Sequence, residues 1–364
     1  TGTNDGPVAV ADTAAGTENA TLTIGVLAND TDVDGSDNAA NFSLDSVSVA
    51  SGEGSVSIDA MANTVVFNPG SDFDDLDAGD TQDVTVSYTM SDDSDIPSSS
   101  TVTVTVTGTN DGPVANADTA STPDDASLTI DVLANDTDVD LSDTRTVDSV
   151  AVTAGLGSAS VDNNHVVYDP SAYLNMVQGE TAQVTLTYTM SDGSGVSSTS
   201  TVTITVQGTN DGPVANVDTA SATENGASIT IDVLANDSDI DHDDNASSLT
   251  VISATASSGA TITGLNVAGG SLNYDPDSTS DFENLAAGET ATDTITYTIA
   301  DSHGATSTSS VSVTITGTND NPVLTVEAAG SVTENTGTDW NNDVIEDLGV
   351  VLFTDVDTTD THTV

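Results

Sequence analysis

The sequence predicts an all-β chain of tandem immunoglobulin-like Greek-key sandwiches, about seven strands each, set end to end. Three observations carry this expectation. The phrase GTNDGP stands at residues 2–7, 108–113 and 208–213, with a near copy, GTNDNP, at 317–322. Its aspartates, Asp5, Asp111, Asp211 and Asp320, lie 106, 100 and 109 residues apart, which is domain spacing rather than solenoid spacing. Between copies, short β-rich runs alternate with Gly, Asn, Asp and Ser clusters, and no stretch carries a 3.6-residue period.

In the first copy the expected strands are residues 7–12, 20–30, 42–50, 54–59, 64–69, 82–90 and 100–108. The last is the plainest, with Val102, Val104 and Val106 on one face and threonines on the other. The boundaries read as repeats over 1–107, 108–207 and 208–316, followed by a partial fourth over 317–364. That partial copy holds about three strands' worth of sequence, too little to close a sandwich. Either the fragment boundary is arbitrary or strands from another chain complete it. The chain opens at Thr1 without a secretory leader, so it reads as an internal piece of a longer protein.

Spacing inside the copies shows which parts are held in register. Gly79, Gly179 and Gly288 precede Tyr88, Tyr188 and Tyr297 by 9 residues each time, and each tyrosine precedes the next joint Asn (Asn110, Asn210, Asn319) by 22. The stretch from Asp30, Asp136 and Asp237 to the tyrosines varies, at 58, 52 and 60 residues. Fixed ends around a drifting middle suit an exacting junction. The tyrosines sit where a tyrosine corner is expected, a core ring with its hydroxyl on backbone.

Charge removes several functions. The chain has 59 acidic residues and one basic residue, Arg145, for a net charge of −58. Phosphate neutralisation needs clustered Lys and Arg, so nucleic acid is excluded as a partner, and anionic membrane surfaces are disfavoured. No apolar run is long enough to span a bilayer. Without Cys or Lys there is neither a disulfide framework nor a lysine isopeptide staple. Such a chain needs counter-cations, high salt or both to stay compact.

Three acidic phrases recur with the joint. One holds Glu18 and Glu224, with Asp124 in the second copy and Glu334 in the fourth. The next holds Asp30, Asp32 and Asp34; then Asp136, Asp138 and Asp140; then Asp237, Asp239 and Asp241; the fourth copy keeps Asp355 and Asp357. The last follows the tyrosine, at Asp92, Asp192 and Asp301. A lone D-x-D is equally a solvated turn. Repeated in register, alternating carboxylates in loops converge several hard oxygens, which specifies Ca²⁺ over zinc or copper. Two carboxylates about 4 Å apart repel by about 1 kcal/mol in water. An ion at about 100 times its dissociation constant turns this into about 2.7 kcal/mol of stabilisation per site.

VLANDTDVDG with GTNDGPVA resembles the tandem cadherin-like repeats of large bacterial surface adhesins, and the tail GSVTEN…LGVVLFTDVDTTDTHTV resembles the VCBS repeat. The resemblance covers the whole chain and implies several calcium ions at inter-domain junctions. It implies Glu18, Asn110, Asp111, Asp138 and Asp140 at the first junction. At the second it implies Asp124, Asn210, Asp211, Asp239 and Asp241, and at the third Glu224, Asn319, Asp320, Asp355 and Asp357. The cadherin scheme adds an acid before the penultimate strand, for which Asp77, Asp80, Glu180 and Glu289 are the nearest residues.

The resemblance further implies an extracellular, bacterial-surface extender: beads stiffened by calcium that carry a distal binding domain in adhesion or biofilm. The partners are then neighbouring repeats and other copies in a fibre. The competing reading has the repeats themselves bind glycans or self-associate, through the variable middles at 36–70, 141–170 and 242–276. Aromatics, 3% of the chain, are scarce, which weakens the case for sugar stacking. An enzyme is not expected. His165, His242, His303 and His362 occupy non-equivalent places, His303 with no required partner, and nothing suggests a cleft with aromatic walls.

Overall fold

The computed structural model describes residues 3–265, 269–325 and 352–357. The chain divides into two compact units, Thr1–Ala172 with Ala182–Val206, and Tyr173–Thr181 with Gln207–Val364. Helix among the described residues is limited to two 3-10 turns, Ser171–Tyr173 and Pro276–Ser278. None of it is long and apolar enough to cross a membrane. The fold is all-β, in tandem sandwiches.

Repeat one contains β1 (Asp12–Thr17), β2 (Leu22–Ile24), β3 (Ser43–Ser51), β4 (Ser55–Asp59), β5 (Thr64–Asn68), β6 (Thr81–Ser91) and β7 (Pro97–Thr107). They form a four-stranded sheet ordered β1-β7-β6-β3 and a three-stranded sheet ordered β2-β5-β4. The Val–Thr alternation of β7 sets the register: Val104 lies opposite Val84 and Val102 opposite Val86. Their buried face meets Val65, Phe67 and Phe73 in one core.

Repeat two follows the same plan with β8 (Asp118–Pro123), β9 (Leu128–Ile130), β10 (Thr146–Ala154), β11 (Ser158–Asp162), β12 (His165–Asp169), β13 (Thr181–Ser191) and β14 (Ser197–Gln207). So does repeat three, with β15 (Asp218–Thr223), β16 (Ile229–Ile231), β17 (Thr250–Ala256), β18 (Thr261–Thr263), β19 (Leu272–Asp275), β20 (Thr290–Ala300) and β21 (Thr306–Thr316). Beyond it, β22 (Val323–Thr325) pairs antiparallel with β23 (Leu352–Thr354).

Two expected strands differ. Residues 7–11 make only an isolated bridge, Val8 to Thr31, because the Val10 N–H is taken by the Asp30 side chain at 2.7 Å instead of a ladder. The first true strand is β1, running parallel to β7 from Asp12 opposite Val102 to Thr17 opposite Thr107. Its sequence, DTAAGT, has no large apolar residue. A Cβ on Gly16 would stand 2.4 Å from a Leu22 methyl, whereas repeats two and three carry Thr122 and Ala222 at this position. Residues 26–29, expected as strand, form a turn.

The glycine of the joint phrase has a specific task. The Gly108 N–H donates to the Asp80 carbonyl at 2.8 Å, and the Gly79 N–H donates to the Gly108 carbonyl at 3.0 Å. A Cβ on Gly108 would lie 2.3 Å from the Leu76 carbonyl oxygen; Gly208 and Gly317 are equally confined, by Val177 and Ala286. This clamp holds the glycine-to-tyrosine-to-joint spacing constant. Replacing Gly108 with Ala is expected to cost about 1–3 kcal/mol through forced backbone displacement, read as a lower denaturant midpoint at unchanged slope.

Candidate metal centre

Each repeat buries its corner tyrosine beside two aspartates. The Tyr88 hydroxyl donates to the Val10 carbonyl at 2.9 Å, with an Asp12 oxygen at 3.2 Å and both Asp30 oxygens at 3.5 Å. Tyr188 reaches the Asn116 carbonyl at 2.9 Å and the Asp136 oxygens at 3.0 and 2.9 Å. Tyr297 reaches the Asn216 carbonyl at 2.6 Å and Asp218 at 3.0 Å. Burial foremost, then the adjoining carboxylates, raises all three phenols above their usual range.

This is where Asp30, Asp136 and Asp237 stand. Oδ1 of each accepts a backbone N–H, from Val10, Asn116 and Asn216 at 2.7, 2.6 and 2.7 Å. They order the entry segment around the tyrosine, and, among the described residues, none of them is in the acid groups that lie within 4.8 Å of one another.

In repeat two, where the hydroxyl is engaged by Asp136, burial and then the Asp136 and Asp131 charges push Asp118 up to about 6. A carboxyl whose folded pKa is raised binds its proton earlier in the native state than in the unfolded chain. The resulting stabilisation is full below the ordinary 3.8 and is lost as pH rises through about 6. Asp118→Asn should therefore flatten the slope of melting temperature against pH in this window, measured as the difference from the parent chain.

A separate acidic cluster recurs at the entry to each repeat. In repeat one the Asp34 N–H donates to Asp32 at 2.8 Å, and the Asp5 N–H donates to Asp34 at 2.7 Å. Asn4 Nδ2 donates to Asp92 at 2.8 Å. Repeat two has the same net: Asp140 N to Asp138 at 3.2 Å, Asp111 N to Asp140 at 2.7 Å and Asn110 Nδ2 to Asp192 at 2.9 Å. In repeat three the lengths are 3.1 Å from Asp241 N to Asp239, 2.9 Å from Asp211 N to Asp241 and 3.0 Å from Asn210 Nδ2 to Asp301. The fourth copy keeps two of these, Asp357 N to Asp355 at 3.0 Å and Asp320 N to Asp357 at 2.8 Å. The joint Asn-Asp is thus a donor that pins the carboxylates, and Asn319 turns its amide onto the Asp320 carbonyl at 2.7 Å.

The post-tyrosine aspartates cap the turn after the strand. Asp92 accepts the Ser94 and Ile96 N–H groups at 2.9 and 2.8 Å, and Asp192 accepts those of Ser194 and Val196 at 2.9 and 2.8 Å. The Ile96 bond is the leading cause that holds Asp92 low. Asp192 stays low despite burial, through Asn110 and the turn N–H groups.

A further acid, five residues past the first Asp of each D-x-D, completes the cluster: Asp37, Asp143 and Asp244. Ligand oxygens of Asp32, Asp34 and Asp37 lie within 4.8 Å of one another, as do those of Asp138, Asp143 and Asp192, and of Asp239, Asp244 and Asp301. Sequence reasoning missed these residues, although their constant offset was present as a signal.

Glu18 connects the end of repeat one to the first joint. It is buried, and its Oε1 accepts the Thr109 N–H and hydroxyl, both at 2.6 Å. Glu224 accepts the Thr318 N–H, and its hydroxyl at 3.1 Å. Asp124 is buried in the equivalent turn after β8. Asp77 accepts the Ser142 N–H at 3.3 Å, which brings the acid-rich segment before β6 to the loop after Asp140. Glu334 lies outside the described residues.

Carboxylates this close raise one another's proton affinity. Asp111 is raised by burial first, then by Glu18, Asp140, Asp74 and Asp138. Asp138 is raised by burial, then by Asp140 and Asp192; Asp239 by burial, then by Asp241, Asp244 and Asp301. Several oxygens are buried with no hydrogen-bond partner: Glu18 Oε2, Asp138 Oδ2, Asp140 Oδ1 and Asp143 Oδ2 around the first joint, with Asp32 Oδ2 and Asp37 Oδ1 in repeat one. Buried acceptors without donors are costly unless a cation meets them. An all-oxygen set with no thiolate and several carboxylates fits Ca²⁺.

Segments 4–108, 110–208 and 210–317 each match the model of the bacterial cadherin-like domain, and the chain belongs to that family. No curated protein matches it. Among solved structures it is similar to the human Desmocollin-1 ectodomain, at 14% identity, TM-score 0.37 and coverage of 96% of this chain and 66% of that one. It is also similar to Drosophila N-cadherin EC1-4, at 17% identity and TM-score 0.37, over 87% of this chain and 76% of that one. For mouse Cadherin-23 EC22-24 the values are 16% and 0.41, over 84% and 96%.

Proposed function

We propose that this chain is a calcium-stiffened extender region of a bacterial surface adhesin or fibre, and that the clusters at the joints are its calcium sites. The observation that carries the reading is the first joint. There Glu18 of repeat one, the Thr109–Asp111 linker and Asp138, Asp140 and Asp192 of repeat two share one hydrogen-bonded net, with buried oxygens left over. Asp32, Asp34, Asp37 and Asp92 would hold an ion in repeat one, Asp138, Asp140, Asp143 and Asp192 in repeat two, and Asp239, Asp241, Asp244 and Asp301 in repeat three. Asp355 and Asp357 repeat the arrangement in the fourth copy, and Glu18 and Glu224 close the joints from the preceding repeat.

Bound calcium supplies the positive charge these oxygens lack and resists bending of the linker. Sites of the extracellular class bind at about 10⁻⁴–10⁻³ M, so they would be empty in the cytosol and filled outside the cell. Copies of one domain repeated about every hundred residues favour a spacer over a receptor. The test is a calorimetric calcium titration of the whole chain. Saturable uptake of several ions, lost together with the D-x-D aspartates, supports the reading; no heat beyond that of magnesium or sodium overturns it.

A further inference from the structure

Repeat three departs from its siblings at two positions together. Four residues past the first Asp of each D-x-D, repeats one and two have Ser36 and Ser142, whereas repeat three has Asp243. Two residues past the post-tyrosine Asp they have Ser94 and Ser194, whereas repeat three has His303. The backbone setting is unchanged, since the Ser94, Ser194 and His303 N–H groups each donate to the preceding Asp at 2.9 Å. Both changes point at one place: ligand atoms of Asp243, Asp244 and His303 lie within 4.8 Å of one another.

Asp244 anchors the group. Its side chain is fully buried, accepts the Ser302 N–H and hydroxyl at 3.2 and 3.1 Å, and stands 3.6 Å from His303 Nδ1. Next to it, Asp241 is 2% exposed and its Oδ1 has no hydrogen-bond partner, while its charge acts on both Asp243 and Asp244. Asp241, placed above in the calcium cluster of this repeat, adds negative charge beside Asp243 and Asp244. Asp243 and His303 are on the solvent side, so an ion has access.

We propose that repeat three has an additional cation site, formed by His303 Nδ1, Asp243 and Asp244, whose nitrogen donor selects a borderline transition ion of the zinc class over calcium. Imidazole suits zinc and its neighbours, while calcium takes oxygen. Bonds of about 2.0–2.2 Å require only small rotations of two exposed side chains toward the buried one. Asp244 is shared with the Asp239–Asp301 group, so the two ions would be neighbours bridged by one carboxylate.

The test is a zinc titration of the whole chain, with calcium absent and with calcium saturating, on the parent, His303→Ser and Asp243→Ser. These substitutions restore the residues of repeats one and two at exposed positions. A single zinc equivalent that survives saturating calcium and weakens about tenfold or more in each variant, with the calcium isotherm unchanged, supports the site. Zinc affinity and stoichiometry unchanged in both variants, or zinc displaced by calcium, overturns it. The converse is Ser36→Asp with Ser94→His in repeat one, which should add a second zinc equivalent; no gain there counts against the proposal. Zinc uptake without calcium uptake in the parent would sink the calcium reading of the joints and leave this site standing.

Discussion

Chelation of calcium is expected to lower the melting temperature by roughly 10–20 °C. An ion held at about 100 times its dissociation constant contributes about 2.7 kcal/mol, and each kcal/mol moves a domain of about 100 residues by roughly 4–8 °C. The effect should exceed this simple product at low ionic strength. Removing the ions restores repulsion within clusters of three or four carboxylates on a chain of net charge −58. Sodium chloride should return part of the loss, because it screens exposed charge but cannot satisfy buried oxygens such as Glu18 Oε2 and Asp140 Oδ1. Scanning calorimetry with excess EDTA, at low and high salt, measures both parts.

Asp143→Asn should act with opposite sign in the two conditions. With calcium present it removes a ligand beside Asp138 and Asp192, weakening that site about tenfold or more and lowering the melting temperature. In EDTA it removes one member of a like-charged cluster, whose pKa is raised by burial first and then by Asp192, Asp138, Asp140 and Asp77, so the melting temperature should rise. A purely structural aspartate would be destabilised by the change in both conditions. Thermal melts of parent and variant in calcium and in EDTA decide between the two roles.

The sheet was legible in the sequence wherever a buried face alternates with a solvated one. The Val–Thr period of β7 and the partner run in β6 are set by that requirement, and their core positions match. β1 was not legible because its sequence, DTAAGT, has no large apolar residue and so carries no apolar signal. The joint phrase was readable as a junction, but the work of its glycine was hidden in a contact between residues 76 and 108.

Of the site, the D-x-D pair of repeat one lies with Asp37, and in repeats two and three the first Asp of the D-x-D lies with the post-tyrosine aspartate. The aspartates of the AND triplets face the corner tyrosines, as Asp30 does in accepting the Val10 N–H beside Tyr88. Asp37, Asp143 and Asp244 were masked by their place in the variable middle, although each stands five residues past the first Asp of its D-x-D. His303 appeared partnerless because its neighbour, Asp244, is distant in sequence and meets it only across the fold.

The most direct test of the account is the reach of the whole chain in solution, measured by small-angle X-ray scattering with saturating calcium and again in EDTA. If the joints are calcium-stiffened, the maximum dimension in calcium is that of domains held end to end, and EDTA broadens the distance distribution while the sandwiches keep their β-sheet circular dichroism. An identical distance distribution in both conditions would contradict it.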